Sequence, residues 1–293
     1  MPSIPERCPQ CSAPKTYYAL TAHGRDIVRC RACGVMVYWP LPTPEELQKI
    51  YDEEWESAEG LHCHFYFDPE AEEDNLQKNF RPRLAILESR GFGGVILDVG
   101  CSIGTFLKEA QSRGWRPEGI DLGEDACART AQSLGCPVHH GTIETAALPS
   151  EHFDVIHASQ VYEHVLDPHS FLEAAHRLLK PGGGLLLATP IIDPAVYYLS
   201  YPIQTRVVPV VSHGRMHGFP WGLHPPYHTF VQSTQSLKSI LEQHGFDVVY
   251  VRKFPWNAWH RMNGKWRAYY RLMNVLFACT GSGQNIDILA VKR

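Results

Sequence analysis

The sequence predicts an α/β protein whose parallel sheet is covered on both faces. Three observations predict it. From residue 95 to residue 190, short apolar strands alternate with helices. Those strands are apolar almost throughout instead of alternating with polar residues, as strands buried on both faces are. The first of them runs straight into the glycine-bearing turn Asp98-Val99-Gly100-Cys101-Ser102-Ile103-Gly104, which opens a helix.

The elements follow in order. Residues 16–20 and 27–29 read as two short strands between cysteine pairs. Thr43 is an N-cap, with Pro44 at the first helical position and Glu45 and Glu46 in the first turn, for a short helix to about residue 52. Residues 55–69 have no period and read as loop. Leu76, Phe80, Leu84 and Leu87 recur at helical steps and predict an amphipathic helix over 70–89. Strands are expected at 95–99, 116–121, 137–140, 153–158 and 185–189, with helices at 104–113, 124–134 and 170–179. Lys180-Pro181-Gly182-Gly183-Gly184 should end the last of these helices. Residues 191–229, rich in Pro, Tyr, His and Gly, break the rhythm as a cap or insertion. A helix over 233–244, stopped by Gly245, and strands at 246–251 and 286–291 follow, with a second insertion at 254–283 carrying a helix at 266–277. The expected organisation is therefore a module at 1–40, a linker with a short helix at 41–69, and the α/β domain at 70–293.

Composition narrows the function classes. At 293 residues the chain can bury a large core, and its apolar fraction of 44% is that of a globular protein. A net charge of −4 gives no overall pull toward nucleic acid, although Arg261, Lys265, Arg267 and Arg271 form a local basic run. No stretch reaches the ~18 apolar residues of a membrane span. Nine cysteines, an odd number, without an export signal predict reduced thiols and a cytoplasmic location. Oligomeric state is left open.

Cys8, Cys11, Cys30 and Cys33 form C-x2-C-x18-C-x2-C, the spacing of a zinc ribbon. Four thiolates make a closed structural site with no open position for catalysis. His62-Cys63-His64 lacks a fourth partner and reads as a loop, while Cys127, Cys136 and Cys279 read as small core residues.

The glycine turn is neither a dinucleotide cradle nor a triphosphate loop. Its spacing is G-x-x-x-G behind Asp98, and no Lys-Ser/Thr follows. An acidic strand end suits a ligand carrying positive charge. Asp121, seventeen residues after Gly104, ends the next strand, where a carboxylate can accept both hydroxyls of a ribose.

The run Asp98 to Gly104, with Asp121, Phe153-Asp154-Val155-Ile156, Glu163-His164-Val165 and Leu178-Leu179-Lys180-Pro181-Gly182-Gly183, resembles the class I methyltransferases. It looks most like the subset holding the quinone, natural-product and sugar methylases. The resemblance is close over residues 75–190. It implies a Rossmann-like doubly wound sheet of seven mostly parallel strands with an antiparallel last strand, and S-adenosylmethionine as cofactor. It also implies roles. Gly100, Cys101 and Gly104 would border the methionine and ribose, and Asp98 would sit under the methionine amino group. Asp121 would bind the ribose, with Leu122 against the adenine and Thr142 and Ile143 flanking it. Ser159 and Gln160 would line the floor beside the sulfonium.

Methyl transfer from a sulfonium needs an oriented acceptor and, for a hydroxyl or carbon acid, a base. His228 and His164 are the candidates, with Tyr162 and His224 behind them. His164 equally suits bracing the next helix, and His228 packing the insertion. Quinone methylases of the resembling subset can hold a divalent metal in the Glu163-His164 segment, but Gln160 stands at its earlier acidic position. The aromatic residues of the insertions either line an acceptor pocket or seal an irregular cap. The leading expectation is a small-molecule acceptor. The competing readings are an RNA methyltransferase that grips RNA with its zinc ribbon, and a non-catalytic module that only binds the cofactor.

Overall fold

The computed structural model describes residues 4–14, 16–22, 25–47, 49, 69–193, 228–254, 271, 275 and 283–293. The expected loop at 55–69, the trio at 62–64 and Cys279 lie wholly or almost wholly outside them. So do the 191–229 insertion, including His224, and the 266–277 helix.

A seven-stranded sheet forms the centre, built from β4 (Val95–Val99), β5 (Arg116–Asp121), β6 (Val138–His140), β7 (Phe153–Ser159), β8 (Leu179–Pro190), β10 (Phe246–Phe254) and β11 (Asn285–Lys292). Their spatial order is β10-β11-β8-β7-β4-β5-β6. All neighbours from β8 to β6 are parallel, and β11 lies antiparallel between β8 and β10. This is the expected doubly wound arrangement, with the antiparallel strand last in sequence.

Side chains alternate across the sheet. Leu97, Val99, Ile156, Ala158, Leu185, Leu187, Ile286 and Ile288 face α4 (Pro168–Leu178) and α5 (Thr234–Gln243). Ile96, Val155, Leu186 and Leu289 face α1 (Pro69–Ser89) and α2 (Thr105–Ser112), where Phe80, Leu84, Leu87, Phe106 and Leu107 close the core. α3 (Glu124–Leu134) follows β5. Local chemistry sets the helix starts. Asp167 caps α4 by accepting from His169 N at 2.9 Å, and Ser233 and Ser236 form a reciprocal capping box on α5. Thr43 and Glu46 do the same, at 3.1 Å each way, ahead of helical residues 44–47.

One expectation needs correction. Residues 180–184 do not form a loop between α4 and a short strand; β8 begins at Leu179. Its ladder to β7 pairs Phe153 with Leu179 and resumes at Val155 and Gly184, so the Pro-Gly-Gly stretch is absorbed as an irregularity within a paired strand.

A second sheet carries β1 (Thr16–Ala22), β2 (Arg25–Cys30), β3 (Met36–Trp39) and β9 (Phe230–Val231) in that order. β3 and β9 were not anticipated. β9 comes from the far end of the chain, beginning two residues after His228, and pairs antiparallel with β3 through Met36–Val231 and Val37–Phe230.

Candidate active site

β4 delivers the chain into the glycine turn at the carboxyl ends of the parallel strands, where ligands bind in open α/β sheets. Gly100 has φ +73°, and a Cβ there would lie 2.5 Å from Val161 Cγ2. Gly104 has φ +77°, and its Cβ would meet Thr130 Cγ2 at 2.6 Å. Only glycine allows both the left-handed backbone and the close approach. Gly100 N and Cys101 N donate to Ile120 O at 2.8 and 3.2 Å, tying the turn to β5. Cys101 is buried against the α2 core, and burial pushes its thiol up from the ordinary range.

Asp121 stands at the end of β5, as expected. Its Oδ2 accepts from Ser102 N at 2.8 Å and its Oδ1 from Gly123 N at 2.9 Å. One carboxylate thus fixes the glycine turn and the following βα turn together. Two large apolar residues, Ile103 and Leu122, stand about half exposed beside it (49% each). Thr142 is half-buried and shares a hydrogen bond with Thr145 at 3.0 Å, whereas Ile143 turns its side chain into the core.

Asp98 lies beneath the turn, 4% exposed. Its Oδ1 is 2.7 Å from Nδ1 of His157, which is fully buried and opposite it in the β4–β7 ladder. The imidazole stacks on Phe106 with centroids 3.8 Å apart, and Phe80 meets it edge-on. Burial raises the Asp98 carboxyl and lowers His157; each also opposes the other's shift through their hydrogen bond. His157 was missed from sequence because Phe153-Asp154-Val155-Ile156-His157-Ala158 reads as an apolar strand with an incidental polar residue. The polar band continues along this face. Arg83, 4% exposed on α1, donates to Asp287 at 2.9 Å and to Ser159 Oγ at 3.0 Å, and Arg252 pairs with the other oxygen of Asp287. The large sequence separation between Arg83 and Asp287 hid this pair as well.

Lys180 and Asp154, both within motifs that carry the resemblance, meet away from the turn. Lys180 Nζ donates to both Asp154 oxygens at 2.8 Å, and Val95 N donates to Oδ2 at 2.7 Å. This clasp joins the starts of β4, β7 and β8.

Beyond β7 the chain turns sharply. Gln160 adopts φ +56°, and its N–H donates to Ala188 O at 2.7 Å. Val161 then packs on Gly100, so the turn carrying residues 161–164 abuts the glycine turn. Tyr162 points into the core, where its hydroxyl has no partner among the described residues and burial raises it, which removes it as a base. Glu163 is fully buried: Oε2 accepts from Thr189 Oγ1 at 2.9 Å, while Oε1 has no hydrogen bond among the described residues. Burial pushes its carboxyl up to about 8. His164 Nε2 lies 3.9 Å from Glu163 Oε1, and the His164 and His228 rings meet edge to face at 4.9 Å. The two histidines expected as bases, 64 residues apart, therefore converge on one buried carboxyl. Their ligand atoms lie within 4.8 Å of one another, a set that could also hold a cation.

The four cysteines also converge. Cys8 and Cys33 sulfurs are 3.8 Å apart, Cys11 and Cys30 sulfurs 3.6 Å, and all four lie within 4.8 Å. Four sulfurs ~2.3 Å from a tetrahedral metal would stand ~3.8 Å apart. The Cys33 thiol beside Cys8 holds Cys8 below the usual thiol range.

The strand order, the antiparallel β11 and the glycine turn beside Asp121 define an α/β domain of the methyltransferase type. A family described as methyltransferase domain matches residues 71–251. The chain belongs to this methyltransferase domain family. It is 35% identical over 143 residues to a ubiquinone biosynthesis O-methyltransferase of Pseudomonas paraeruginosa, a match covering 46% of this chain and 62% of that protein. It is 29% identical over 227 residues to the protein of that name in Leptothrix cholodnii, covering 74% and 92%. In fold it is similar to the crystal structure of Burkholderia thailandensis 1,6-didemethyltoxoflavin-N1-methyltransferase with bound 1,6-didemethyltoxoflavin and S-adenosylhomocysteine. There the TM-score is 0.55 at 18% identity, with 95% of this chain and 99% of that chain covered. Among the described residues no helix is long and apolar enough to cross a membrane.

Proposed function

We propose that the chain is an S-adenosylmethionine-dependent methyltransferase acting on a small-molecule acceptor. One observation carries the reading: Val161 packed on Gly100 sets the glycine turn directly against the turn that bears Glu163 and His164, with His228 beside them. A donor site and a proton-accepting site are thereby neighbours, as methyl transfer to a hydroxyl requires.

The residues present fit the donor. Asp121 offers a carboxylate at the strand end for the ribose, and the exposed Ile103 and Leu122 offer apolar cover for an adenine. Asp98 supplies a buried carboxyl beneath the turn for the methionine ammonium. The bound donor supplies a sulfonium methyl group that is already activated. His228 takes the acceptor's proton as it attacks, and His164 orients His228. Burial favours the neutral form of the Glu163 carboxyl beside them. The ubiquinone-biosynthesis relatives favour a ring-bearing hydroxyl acceptor, as does the aromatic content of residues 191–229.

Cys8, Cys11, Cys30 and Cys33 hold a structural zinc in this reading, which the sulfur spacing supports. The free thiols among the described residues suit a reducing, cytoplasmic compartment. The test is an acceptor screen read by mass spectrometry for the gain of one methylene unit, with His228→Ala and His164→Ala alongside. RNA retention on nitrocellulose at moderate salt would favour the nucleic-acid alternative instead. Donor binding without turnover on any acceptor would favour the non-catalytic one.

A further inference from the structure

We infer that the four-cysteine module is a strut for the acceptor side of the site, and that its metal-bound fold holds His228 against Glu163 and His164. The inference rests on the proposed function only for what His228 does, not for what holds it.

The connection runs through short, specific contacts. His228 is followed at once by Thr229, Phe230 and Val231. Thr229 N donates to Glu163 O at 2.8 Å, and Thr229 O accepts from Tyr38 N of β3 at 3.0 Å. One residue thus joins the site on one side and the module on the other. Phe230 and Val231 form β9 on β3, and Phe230, 1% exposed, packs with Cys8, Cys30, Val28, Val35 and Val37. The core of the module is therefore completed by the residue two positions after His228.

A second line of contacts starts inside the Cys8–Cys11 knuckle. Gln10 is 3% exposed although it lies between two metal ligands. Its Oε1 accepts from Gln232 Nε2 at 2.7 Å, its Nε2 reaches Ser236 O at 3.5 Å, and its carbonyl oxygen lies 2.8 Å from His169 Nε2. Gln232 in turn accepts from Ser236 Oγ at 2.8 Å. The knuckle that the metal would shape is wired to the residues directly after β9 and to α4. A small module with so little core of its own depends on its metal for its fold, so loss of the metal should release β9. His228 would then lose the backbone contact that places it. A nucleic-acid grip would not need its buried amide and its core aromatic residue engaged with the catalytic domain.

The test reads His228 without any acceptor. The full chain is compared before and after removal of metal by a chelator, and again after Zn²⁺ is returned. Carbethoxylation of His228 by diethyl pyrocarbonate is followed by peptide mass, with the exposed His140 as reference, and calorimetry gives S-adenosylmethionine affinity. Removal should raise the His228 rate about tenfold or more relative to His140, as expected for release of a buried segment, with the rate restored by Zn²⁺. Donor affinity should stay within about twofold, because none of the module's contacts named above is to Asp98, Gly100 or Asp121. An unchanged His228 rate in metal-free chain overturns the inference. If stripping also abolishes donor binding, Gln10→Ala decides, since it keeps all four cysteines: a rise of about twofold or more supports the strut, and no rise overturns it. Untreated chain that does not bind the donor contradicts the proposed function and leaves this comparison intact.

Discussion

His157 and Asp98 face each other across the β4–β7 ladder at 2.7 Å, both buried, directly beneath the glycine turn. A buried carboxyl needs a hydrogen-bond partner, and here it comes from the neighbouring strand. The imidazole is fixed by stacking on Phe106, so the Asp98 oxygen is fixed as well. His157→Phe should keep the stacking volume and strand the carboxyl. The expected loss is about 1–3 kcal/mol of stability, with weaker donor binding, and His157→Asn should recover part of both. Thermal melts and calorimetry on the two variants check this.

Asp121 carries two backbone N–H groups from two different turns, so its removal should loosen the cradle as well as remove a ribose partner. Asp121→Ala should weaken S-adenosylmethionine binding at least about tenfold, given about 1.5–3 kcal/mol for hydrogen bonds to a charged group. Calorimetric affinity unchanged in this variant would remove Asp121 from the site.

The Lys180–Asp154 clasp gives the opposite expectation. Both side chains are partly exposed and lie at the strand starts, away from the turn. Lys180→Met should cost no more than about 1 kcal/mol of stability. Donor affinity should be unaltered, which the same calorimetric titration reads directly.

Glu163 makes stability depend on pH in a stated direction. Burial raises its carboxyl from 4.5 to about 8. Below pH 4.5 both folded and unfolded chains are protonated and nothing is lost. Between that point and about pH 8 the unfolded chain ionises while the folded chain does not, so stability falls with rising pH from this group. Glu163→Gln does not titrate. Its stability relative to the parent should therefore rise between pH 5 and pH 8, as measured by denaturant unfolding. A flat difference would mean that Glu163 is already ionised and held by a cation with His164 and His228.

Much of this was legible in the sequence because it is local. The turn 98–104, Asp121 and the alternating strands are set by spacings within a few residues, and they fold as read. Each cysteine pair is local too, and the paired strands β1 and β2 between them bring the two together. The two bases could be named but not joined, because His164 and His228 meet only through tertiary structure. His157 and the Arg83–Asp287 pair were not legible, since a buried polar residue in an apolar strand has no periodic signal until its partner is known. β9 has two residues, too few for any pattern, yet it joins the module to the site. The strand start at Leu179 was hidden by Pro181 and the following glycines, which usually mark a loop but here sit inside a paired irregularity.

The central claim is that the glycine turn and the Glu163–His164–His228 cluster serve one reaction. It is tested most directly by single-turnover methyl transfer on an acceptor found by the screen, with donor affinity measured on the same samples. The account predicts that His228→Ala loses turnover about 100-fold or more, the scale of a lost general base, while donor affinity holds within about twofold. Full turnover in both His228→Ala and His164→Ala, or no binding of S-adenosylmethionine by the unaltered chain, would contradict it.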